Sequence, residues 1–408
     1  MTGADHSLPY AGLRVLDLSQ GLAGPYCAGL LCMQGAAVVK IEPPAGDWIR
    51  NAGGGREGMT SLAIMGSLGK RSACIDATKP EGRALLLRMA QRADVMVQNF
   101  RPGVIERLGL GYDVVSKDNP KLVYVSITGF GDGGPDANKP ATDSVLQAYT
   151  GMASLNRDPD GTPRRIPFLV PDTATGVYAA QAVGAALFAR ERSGRGRHVQ
   201  VSLMQVCAAV QTAPILDAAL SDGRPAAPLT VPAGIFRTGN GYITVTSLNE
   251  AMFAALLGVL ELSALATDPR FAQPAERQKN GALINLEVSR RLATADSEHW
   301  LQALARADVL CAPVQDYAGF RAAPQTVHME TFREVDQYPY GPLPLPRVPG
   351  ASAAWPLGAA PRLGEHTLQI LAEAGVSEAE SAALVASGVV RQATSGEVTG
   401  GTEGPSCA

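Results

Sequence analysis

The chain has 408 residues, 46% of them hydrophobic and 18% charged, which is the composition of a globular protein with a large core. One hydrophobic core seldom serves a chain of this length, so we expect two domains. Lys and Arg number 35 against 38 Asp and Glu, a net charge of −3 that argues against nucleic acid as a main partner.

The termini and cysteines narrow the class further. The opening MTGADHSLPY lacks the basic and apolar regions of a signal peptide, and no apolar run reaches the length of a membrane span. The six cysteines are scattered without a C-x-x-C spacing, which indicates free thiols rather than a metal site. We therefore expect a cytoplasmic protein with no membrane partner and no bound metal.

Strands alternate with helices through the first third of the chain, a pattern typical of an α/β fold with a mostly parallel sheet. The predicted strands are Leu13–Leu18, Ala36–Ile41, Arg71–Ile75, Val95–Phe100 and Leu122–Ile127, and the helices between them include Pro80–Arg92 and Tyr112–Lys117. Gly21 and Gly24 form a G-x-x-G spacing, which does not fit a dinucleotide fingerprint. The loop Gly129–Pro135 follows the last of these strands, where open α/β sheets place ligands.

The stretch from Ile166 to Met204 places one carboxylate between an apolar run and a long alanine-rich helix. Phe168–Val170 before Pro171 predicts an extended segment, and the helix is expected to begin directly after it. Asp172 either caps this helix or acts as a nucleophile that the positive helix end keeps ionised. Spacing alone does not choose between these two roles.

The second half of the chain indicates a smaller α+β unit after a boundary at Ser221–Pro225. Gly234–Arg237 and Tyr242–Val245 flank a glycine turn and predict a hairpin. Tyr338–Pro361 is rich in proline and predicts an extended connector. The predicted division is a large domain 1–220, a small α+β domain 221–325, a proline-rich connector 326–361, a C-terminal helical segment 362–394 and a disordered tail 395–408.

Seven segments together resemble the class III CoA-transferase family, which includes formyl-CoA and carnitine CoA-transferases. They occur in the family's order between Leu13 and about Val390: LRVLDLSQGLAGPYCAGLL, GKRSACID, DVMVQNFRPGVIERLGLGYD, LVYVSITGFGDGGP, PDTATGVYAAQAVGAALFARERSGRGRHVQVSLM, TDPRF and LGEHT. The resemblance implies a Rossmann-like large domain to which the C-terminal segment returns. It also implies a smaller α+β domain and an interlocked, ring-shaped homodimer.

The family's catalytic aspartate falls on Asp172. The resemblance implies that this carboxylate attacks an acyl-CoA thioester, that CoA then forms a thioester on Asp172, and that a carboxylic acid takes the CoA away. No tightly bound cofactor or metal is implied, because coenzyme A is itself part of the substrate. Backbone N–H groups of Gly131, Gly133 and Gly134 are candidates for stabilising the oxyanion.

The resemblance also implies a CoA site. Its expected residues are Gln20, Gly21, Leu22, Ala23, Lys70, Arg71, Asn99, Phe100, Arg107 and Lys139, which supply a tight turn and basic side chains for phosphates. The alternatives are a turn with no ligand and solvated surface charges. Pro43 departs from formyl-CoA transferase, which has an arginine there.

Three questions about function stay open at this stage. A racemase of the same fold needs a histidine before Asp143, where this chain has Thr142. Asp143 itself orients a neighbour of Asp172 or caps a helix. Arg50, with other arginines near the site, either holds the second carboxylate of a dicarboxylic acid or is a solvated loop charge. A CoA-ester racemase and a non-catalytic CoA-binding subunit are therefore the alternatives to a transferase.

Overall fold

The computed structural model describes residues 8–158, 160–221, 230–350 and 358–393. The chain divides into two compact units: Met1–Thr212 together with Thr331–Ala408, and Ala213–Glu330. We call these unit 1 and unit 2. Most of the predicted boundary at Ser221–Pro225 and all of the predicted tail 395–408 lie outside the described residues.

Fourteen strands lie in the described part of the chain. They are β1 (Arg14–Asp17), β2 (Ala37–Glu42), β3 (Gly55–Arg56), β4 (Met59–Thr60), β5 (Arg71–Ile75), β6 (Val95–Gln98), β7 (Val123–Thr128), β8 (Arg197–Ser202), β9 (Ala233–Arg237), β10 (Tyr242–Thr246), β11 (Leu310–Pro313), β12 (Phe332–Gln337), β13 (Gly341–Pro346) and β14 (Val390–Arg391).

Eighteen α-helices lie in the same ranges. They are α1 (Ala23–Cys32), α2 (Ser61–Ser67), α3 (Pro80–Ala90), α4 (Val104–Arg107), α5 (Tyr112–Asp118), α6 (Asp143–Tyr149), α7 (Met152–Leu155), α8 (Val170–Ser193), α9 (Leu203–Val210), α10 (Thr212–Leu220), α11 (Glu250–Val259), α12 (Pro274–Lys279), α13 (Gly281–Leu292), α14 (Ser297–Arg306), α15 (Tyr317–Ala322), α16 (Pro324–His328), α17 (Thr367–Glu373) and α18 (Glu378–Ala386). Short 3₁₀ helices occupy Trp48–Asn51 and Ser263–Thr267.

Unit 1 contains a seven-stranded sheet in the order β14-β5-β2-β1-β6-β7-β8. Six of its strands are parallel, and β14 pairs antiparallel with β5 at one edge. The predicted α/β fold with a mostly parallel sheet is therefore confirmed. All parallel strands end at the same edge, so the loops after β1, β6 and β7 meet there, which positions the candidate site.

Helices cover both faces of this sheet because each buried strand sends alternate side chains to opposite faces. On β1, Val15 packs with α1 and α8, whereas Leu16 packs with α3 and α17. The first face is built mainly from Leu31, Val97, Val125 and Val183. The second is built mainly from Leu86, Met96, Tyr124 and Leu371.

Unit 2 has an antiparallel sheet in the order β11-β10-β9. The hairpin predicted around Gly239–Gly241 is present as β9 and β10. The helices α11, α13 and α14 pack on this sheet through a core of its own that includes Phe236, Val288 and Trp300.

Three predicted elements differ from the structure. Phe168–Val170 is not a strand, because Val170 already begins α8 and Phe168 lies in a bend. Within the predicted connector 326–361, β12 and β13 form a hairpin in unit 1. Prolines occupy every second position of β13, so the missing N–H groups all lie on one side of that strand. The predicted C-terminal helical segment 362–394 is divided into α17 and α18 at Gly375, where φ is +81°.

Among the residues that the structure describes, no single helix has the length and apolar character needed to cross a membrane. The helices α9 and α10 taken together meet that test, by length and composition only.

Candidate active site

Asp172 lies in the first turn of α8, the long helix packed against α1. The helix begins at Val170 with Leu169 as its N-cap, and no side chain caps it. The alternative that Asp172 caps this helix is therefore wrong. Pro171 occupies the start of the helix because its fixed φ suits that position and the first N–H groups have no helical partner. Asp172 is left partly exposed, with its side chain free of a capping bond.

A second carboxylate, Asp143, supports the backbone of the first. Asp143 begins α6 and is 4% exposed. Its Oδ2 accepts a hydrogen bond from the backbone N–H of Asp172 at 3.3 Å. Its Oδ1 accepts one from Nε2 of Gln147, one turn later on α6, at 2.8 Å. Asp143 thus contacts the backbone of the residue that carries the candidate nucleophile, whereas the sequence-based alternative is contact with a neighbour of that residue.

Gln147 also ties the segment before α8 to α6. Its Oε1 accepts a hydrogen bond from the N–H of Ile166 at 2.8 Å, and its Nε2 donates to the carbonyl oxygen of Ile166 at 3.2 Å. The chain is therefore held six residues before Asp172 by the same side chain that contacts Asp143. This pairing fixes the approach to α8 without any regular strand.

The electrostatics of Asp172 differ from the sequence-based expectation. Burial, and secondly the negative charge of Asp143, raise the pKa of Asp172 to about 7. Burial also raises the pKa of Asp143. Neither carboxylate forms an ion pair in the described part of the chain. The sequence predicts that the positive helix end keeps Asp172 ionised, and desolvation and a like charge act against that effect.

The glycine loop after β7 contains two kinds of N–H group. Gly131 has φ +108° and donates its N–H to Oγ1 of Thr128 at 3.1 Å, so that donor is already engaged. The N–H groups of Gly133 and Gly134 have no partner among the described residues. Gly129 has no room for a side chain, because a Cβ there would lie 2.1 Å from Cβ of Ala141. This close contact fixes the start of the loop against the segment that leads to Asp143.

The turn between β1 and α1 brings several predicted CoA residues together. The N–H of Gln20 donates to Oδ1 of Asn99 at 2.8 Å, and Nδ2 of Asn99 donates to the carbonyl oxygen of Gln20 at 2.6 Å. Gly21 has φ +74°, a conformation that favours glycine. Leu22 is the N-cap of α1 and Ala23 its first residue, with no side-chain cap.

The structure gives Lys70 and Arg50 buried partners. Nζ of Lys70 lies 2.7 Å from Oδ2 of Asp17 and is completely enclosed. Arg50 is 6% exposed and makes two hydrogen bonds to Glu42, at 2.6 and 2.7 Å. Both cations therefore neutralise buried acids, and the idea that Arg50 is a solvated loop charge is wrong.

The remaining predicted basic residues are accessible. Arg71 pairs with Glu373 at 2.6 Å and Lys139 pairs with Asp136 at 2.7 Å, in ion pairs that solvent reaches. Arg107 is exposed at the end of α4. Phe100 is partly buried, and its N–H donates to Oε1 of Gln98 at 2.9 Å.

Sequence reasoning missed four buried polar residues beneath the turn: Asp17, Ser19, Lys40 and Asp47. For Lys40 and Asp17, the signal in the sequence is a charge within an apolar strand. Lys40 interrupts AVVKIE and Asp17 ends RVLD, and neither position is compatible with solvent on a doubly covered parallel sheet.

Comparison with known proteins assigns the class. Residues 10–367 match CoA-transferase family III. An acetyl-CoA:oxalate CoA-transferase of Acetobacter aceti is 34% identical over 325 residues, which are 78% of this chain and 84% of that protein. A succinate–glutarate CoA-transferase of Agrobacterium fabrum is 31% identical over 382 residues, 90% of this chain and 95% of that protein.

The fold comparison agrees. A crystal structure of a CAIB/BAIF family protein from Brucella suis covers 90% of this chain and 100% of its own, with a TM-score of 0.81 and 32% identity. The chain thus belongs to CoA-transferase family III.

Proposed function

We propose that this protein transfers coenzyme A from an acyl-CoA donor to a carboxylic acid, with the Asp172 carboxylate as nucleophile. The observation that carries the proposal is the placement of Asp172. It is a carboxylate in the first turn of α8, partly exposed, free of any ion pair in the described chain, and held through its backbone by Asp143.

The proposed reaction proceeds through two kinds of acyl intermediate. An Asp172 oxygen attacks the thioester carbonyl carbon, the carbon–sulfur bond breaks, and a mixed anhydride and CoA thiolate result. The thiolate attacks the Asp172 carbonyl carbon, which releases the donor acid and leaves a thioester on Asp172. The acceptor carboxylate attacks that thioester, and the thiolate then attacks the acceptor carbonyl carbon of the second anhydride. New acyl-CoA leaves, and Asp172 is regenerated without any net proton or electron transfer.

We assign supporting roles from the contacts around the site. The unpartnered N–H groups of Gly133 and Gly134 are suited to stabilise a developing oxyanion, whereas Gly131 already donates to Thr128. The turn Gln20–Ala23 and the start of α1 supply further donors for the CoA moiety.

The phosphate groups of CoA require accessible cations, and Arg71, Arg107 and Lys139 qualify. The ion pairs of Arg71 and Lys139 are exposed, so opening them costs little. Arg50 and Lys70 are left out of this set because their charges are buried and paired.

The acceptor in this proposal is a small carboxylic acid, and two features favour a dicarboxylate. The relatives from Acetobacter and Agrobacterium are named for oxalate and for succinate and glutarate. Arg165 is exposed, is followed directly by the Ile166 that Gln147 holds, and interacts electrostatically with Asp143. It is therefore placed to pair with a second carboxylate.

The working assembly in this proposal is an interlocked homodimer. Its support is the apolar surface of α8, on which Val177, Tyr178 and Phe188 are each more than 40% exposed. Analytical ultracentrifugation tests the assembly: a monomer at micromolar concentration would contradict it.

The experiment that tests the reaction incubates the purified protein with an acyl-CoA and a panel of mono- and dicarboxylates. We expect a new acyl-CoA by liquid chromatography and, after an acid quench without acceptor, a CoA adduct on the peptide that contains Asp172. Asp172→Asn should lose both, whereas Asp118→Asn, at an exposed carboxylate of the same unit with no assigned role in the site, should fold and show the same adduct. Exchange of the α-hydrogen with solvent deuterium without any acceptor would instead indicate a racemase.

A further inference from the structure

The turn at Ser19–Gly21 is held by side chains from four different parts of unit 1. Asp17 at the end of β1 accepts hydrogen bonds from the N–H of Ser19 at 3.0 Å and from its hydroxyl. Asn99, after β6, engages both backbone groups of Gln20. Each residue of the turn therefore has at least one backbone group bound by a side chain distant in sequence or buried beneath it.

Asp47 and Lys40 close the remaining side of the turn. Oδ1 of Asp47 accepts the N–H of Gly21 at 3.0 Å, and Nζ of Lys40 donates to the carbonyl oxygen of Ser19 at 2.9 Å. Lys40 and Asp47 also pair with each other at 2.9 Å, with side-chain exposures of 1% and 0%. One buried ion pair thus binds the backbone of the turn at two positions, Ser19 and Gly21.

The same network extends into α1. Nζ of Lys70 contacts the carbonyl oxygen of Pro25 in α1 and Oδ2 of Asp17, each at 2.7 Å. Burial alone would raise the pKa of Asp17, but Lys70 and Lys40 together bring it below its ordinary value. The ionised form of Asp17 is therefore favoured, and the hydrogen bonds that it accepts are the stronger, charge-assisted kind.

Several hydrogen-bond donors of the turn and of the start of α1 are not engaged by this network. The side-chain amide of Gln20 and the N–H groups of Leu22 and Ala23 have no hydrogen-bond partner in the described chain. On the other side, the ring of Trp48, which follows Asp47, lies against Gly21, where a Cβ would be 3.0 Å from its Cζ2. A turn whose Ser19 and Gln20 backbone groups and Gly21 N–H are all occupied presents these donors in one fixed arrangement.

We propose that Asp47 and Lys40 are positioning residues for acyl-CoA binding: by fixing Gly21 and Ser19, they hold the free donors of the Gln20–Ala23 turn in the geometry that receives CoA. This inference rests on the proposed function, which places CoA at that turn. In this inference the buried cations Lys40 and Lys70 do not bind CoA themselves. They stabilise the turn that binds it.

The test compares two substitutions at one position. Asp47→Asn keeps an oxygen that accepts the N–H of Gly21 but removes the charge that pairs with Lys40. Asp47→Ala removes both. Because each leaves Lys40 buried without its counter-ion, both should lower the melting temperature to a similar extent.

The two variants should differ in binding. We expect Asp47→Ala to raise the KM for acyl-CoA about tenfold or more, to weaken CoA binding in calorimetric titration equally, and to leave the KM for the acceptor acid unchanged. Asp47→Asn should stay within about threefold of the parent for both CoA measurements. Arg190→Gln, which breaks the pair of Arg190 with Asp94 at the far end of α8, is the stability control and should leave the KM for acyl-CoA unchanged.

Equal KM values for Asp47→Ala and Asp47→Asn, or a melting-temperature loss in Asp47→Ala with unchanged CoA binding, would show that the network is purely structural. Failure of the proposed function is seen separately, as absence of CoA transfer by the parent protein. Calorimetric binding of CoA does not depend on turnover, so it decides the inference in either case.

Discussion

Unit 1 contains two groups of acidic side chains in low-solvent surroundings. One group is paired with cations and the other is not. Beneath the turn, Asp17, Glu42 and Asp47 face Lys70, Arg50 and Lys40 in three ion pairs. At the start of α8, Asp143 and Asp172 face each other without an ion pair. The first group is neutral as a whole, whereas the second concentrates negative charge.

The pKa values record this difference. Burial alone would raise the pKa of Glu42, but the hydrogen bonds and charge of Arg50 bring it to about 2. At Asp172 burial acts with a like charge, and its pKa rises to about 7. Desolvated carboxylates therefore have a lowered or a raised pKa, depending on whether a cation lies beside them. A nucleophile needs the second arrangement, because an anion fixed by an ion pair attacks poorly.

The strongest test of this contrast removes the unpaired acid. Asp172→Asn should lower CoA transfer by about a thousandfold or more while the protein stays folded, because the nucleophile itself is lost. The measurement is the initial rate of acyl-CoA exchange, with Asp118→Asn as the control for loss of a surface carboxylate. Retention of a tenth of the activity would exclude Asp172 as the nucleophile.

Removing a cation from the paired group should instead affect stability. Lys70→Met leaves Asp17 charged and buried without its partner, and we expect a loss of about 3–5 kcal/mol in the free energy of unfolding. Urea denaturation measures it. The control is Lys279→Met, at a lysine 69% exposed and paired with Glu276, where the loss should stay below about 1 kcal/mol. Similar losses in the two variants would contradict the contrast.

The pH dependence of catalysis should follow Asp172. Only the ionised carboxylate attacks, so the rate of adduct formation should rise about tenfold per pH unit below 7 and level off above it. Asp143→Asn removes the neighbouring charge, so the same profile should move to lower pH. Rapid-quench measurement between pH 5 and 9 gives both curves. An unmoved profile would show that burial alone sets the pKa of Asp172.

The smallest expected effect is on the pH dependence of the melting temperature. The pKa of Asp172 is higher in the folded protein than its ordinary value of 3.8, so the stability associated with this group is lost as pH rises from about 4 through 7. Asp172→Asn avoids that loss. We expect its melting temperature to exceed that of the parent by about 1–3 °C at pH 8 and by less at pH 5. A difference independent of pH would point to packing instead.

Local patterns in the sequence carry the fold well. The strand predicted at Arg71–Ile75 has the same bounds in the structure, and the hairpin of unit 2 lies where a glycine turn predicts it. Both depend on neighbouring residues only. The two-residue strand β14 is too short to leave a pattern, and the prolines of β13 conceal a strand.

Features of the site that depend on neighbouring residues are predictable from the sequence, and features that depend on distant residues are not. The place of Asp172 at the start of a helix is visible in the chain around it. Its pKa depends on Asp143, 29 residues away, and the burial of Lys70 depends on Asp17, 53 residues away. No local sequence pattern reveals such distant pairings. A basic residue that binds a ligand and one that pairs with a buried acid therefore look alike in the sequence.

The antiparallel edge strand β14 bears on how the protein is made. Val390 pairs with Ile75 and Arg391 with Cys74, so the large sheet receives its last strand from the end of the described chain. Until that segment leaves the ribosome, the backbone of β5 has an unpaired side that is open to pairing with other chains. Unit 2, formed by the continuous segment Ala213–Glu330, carries no such requirement and is complete earlier in synthesis. A truncation before Val390 should therefore aggregate during expression, although it retains every residue of the proposed catalytic site.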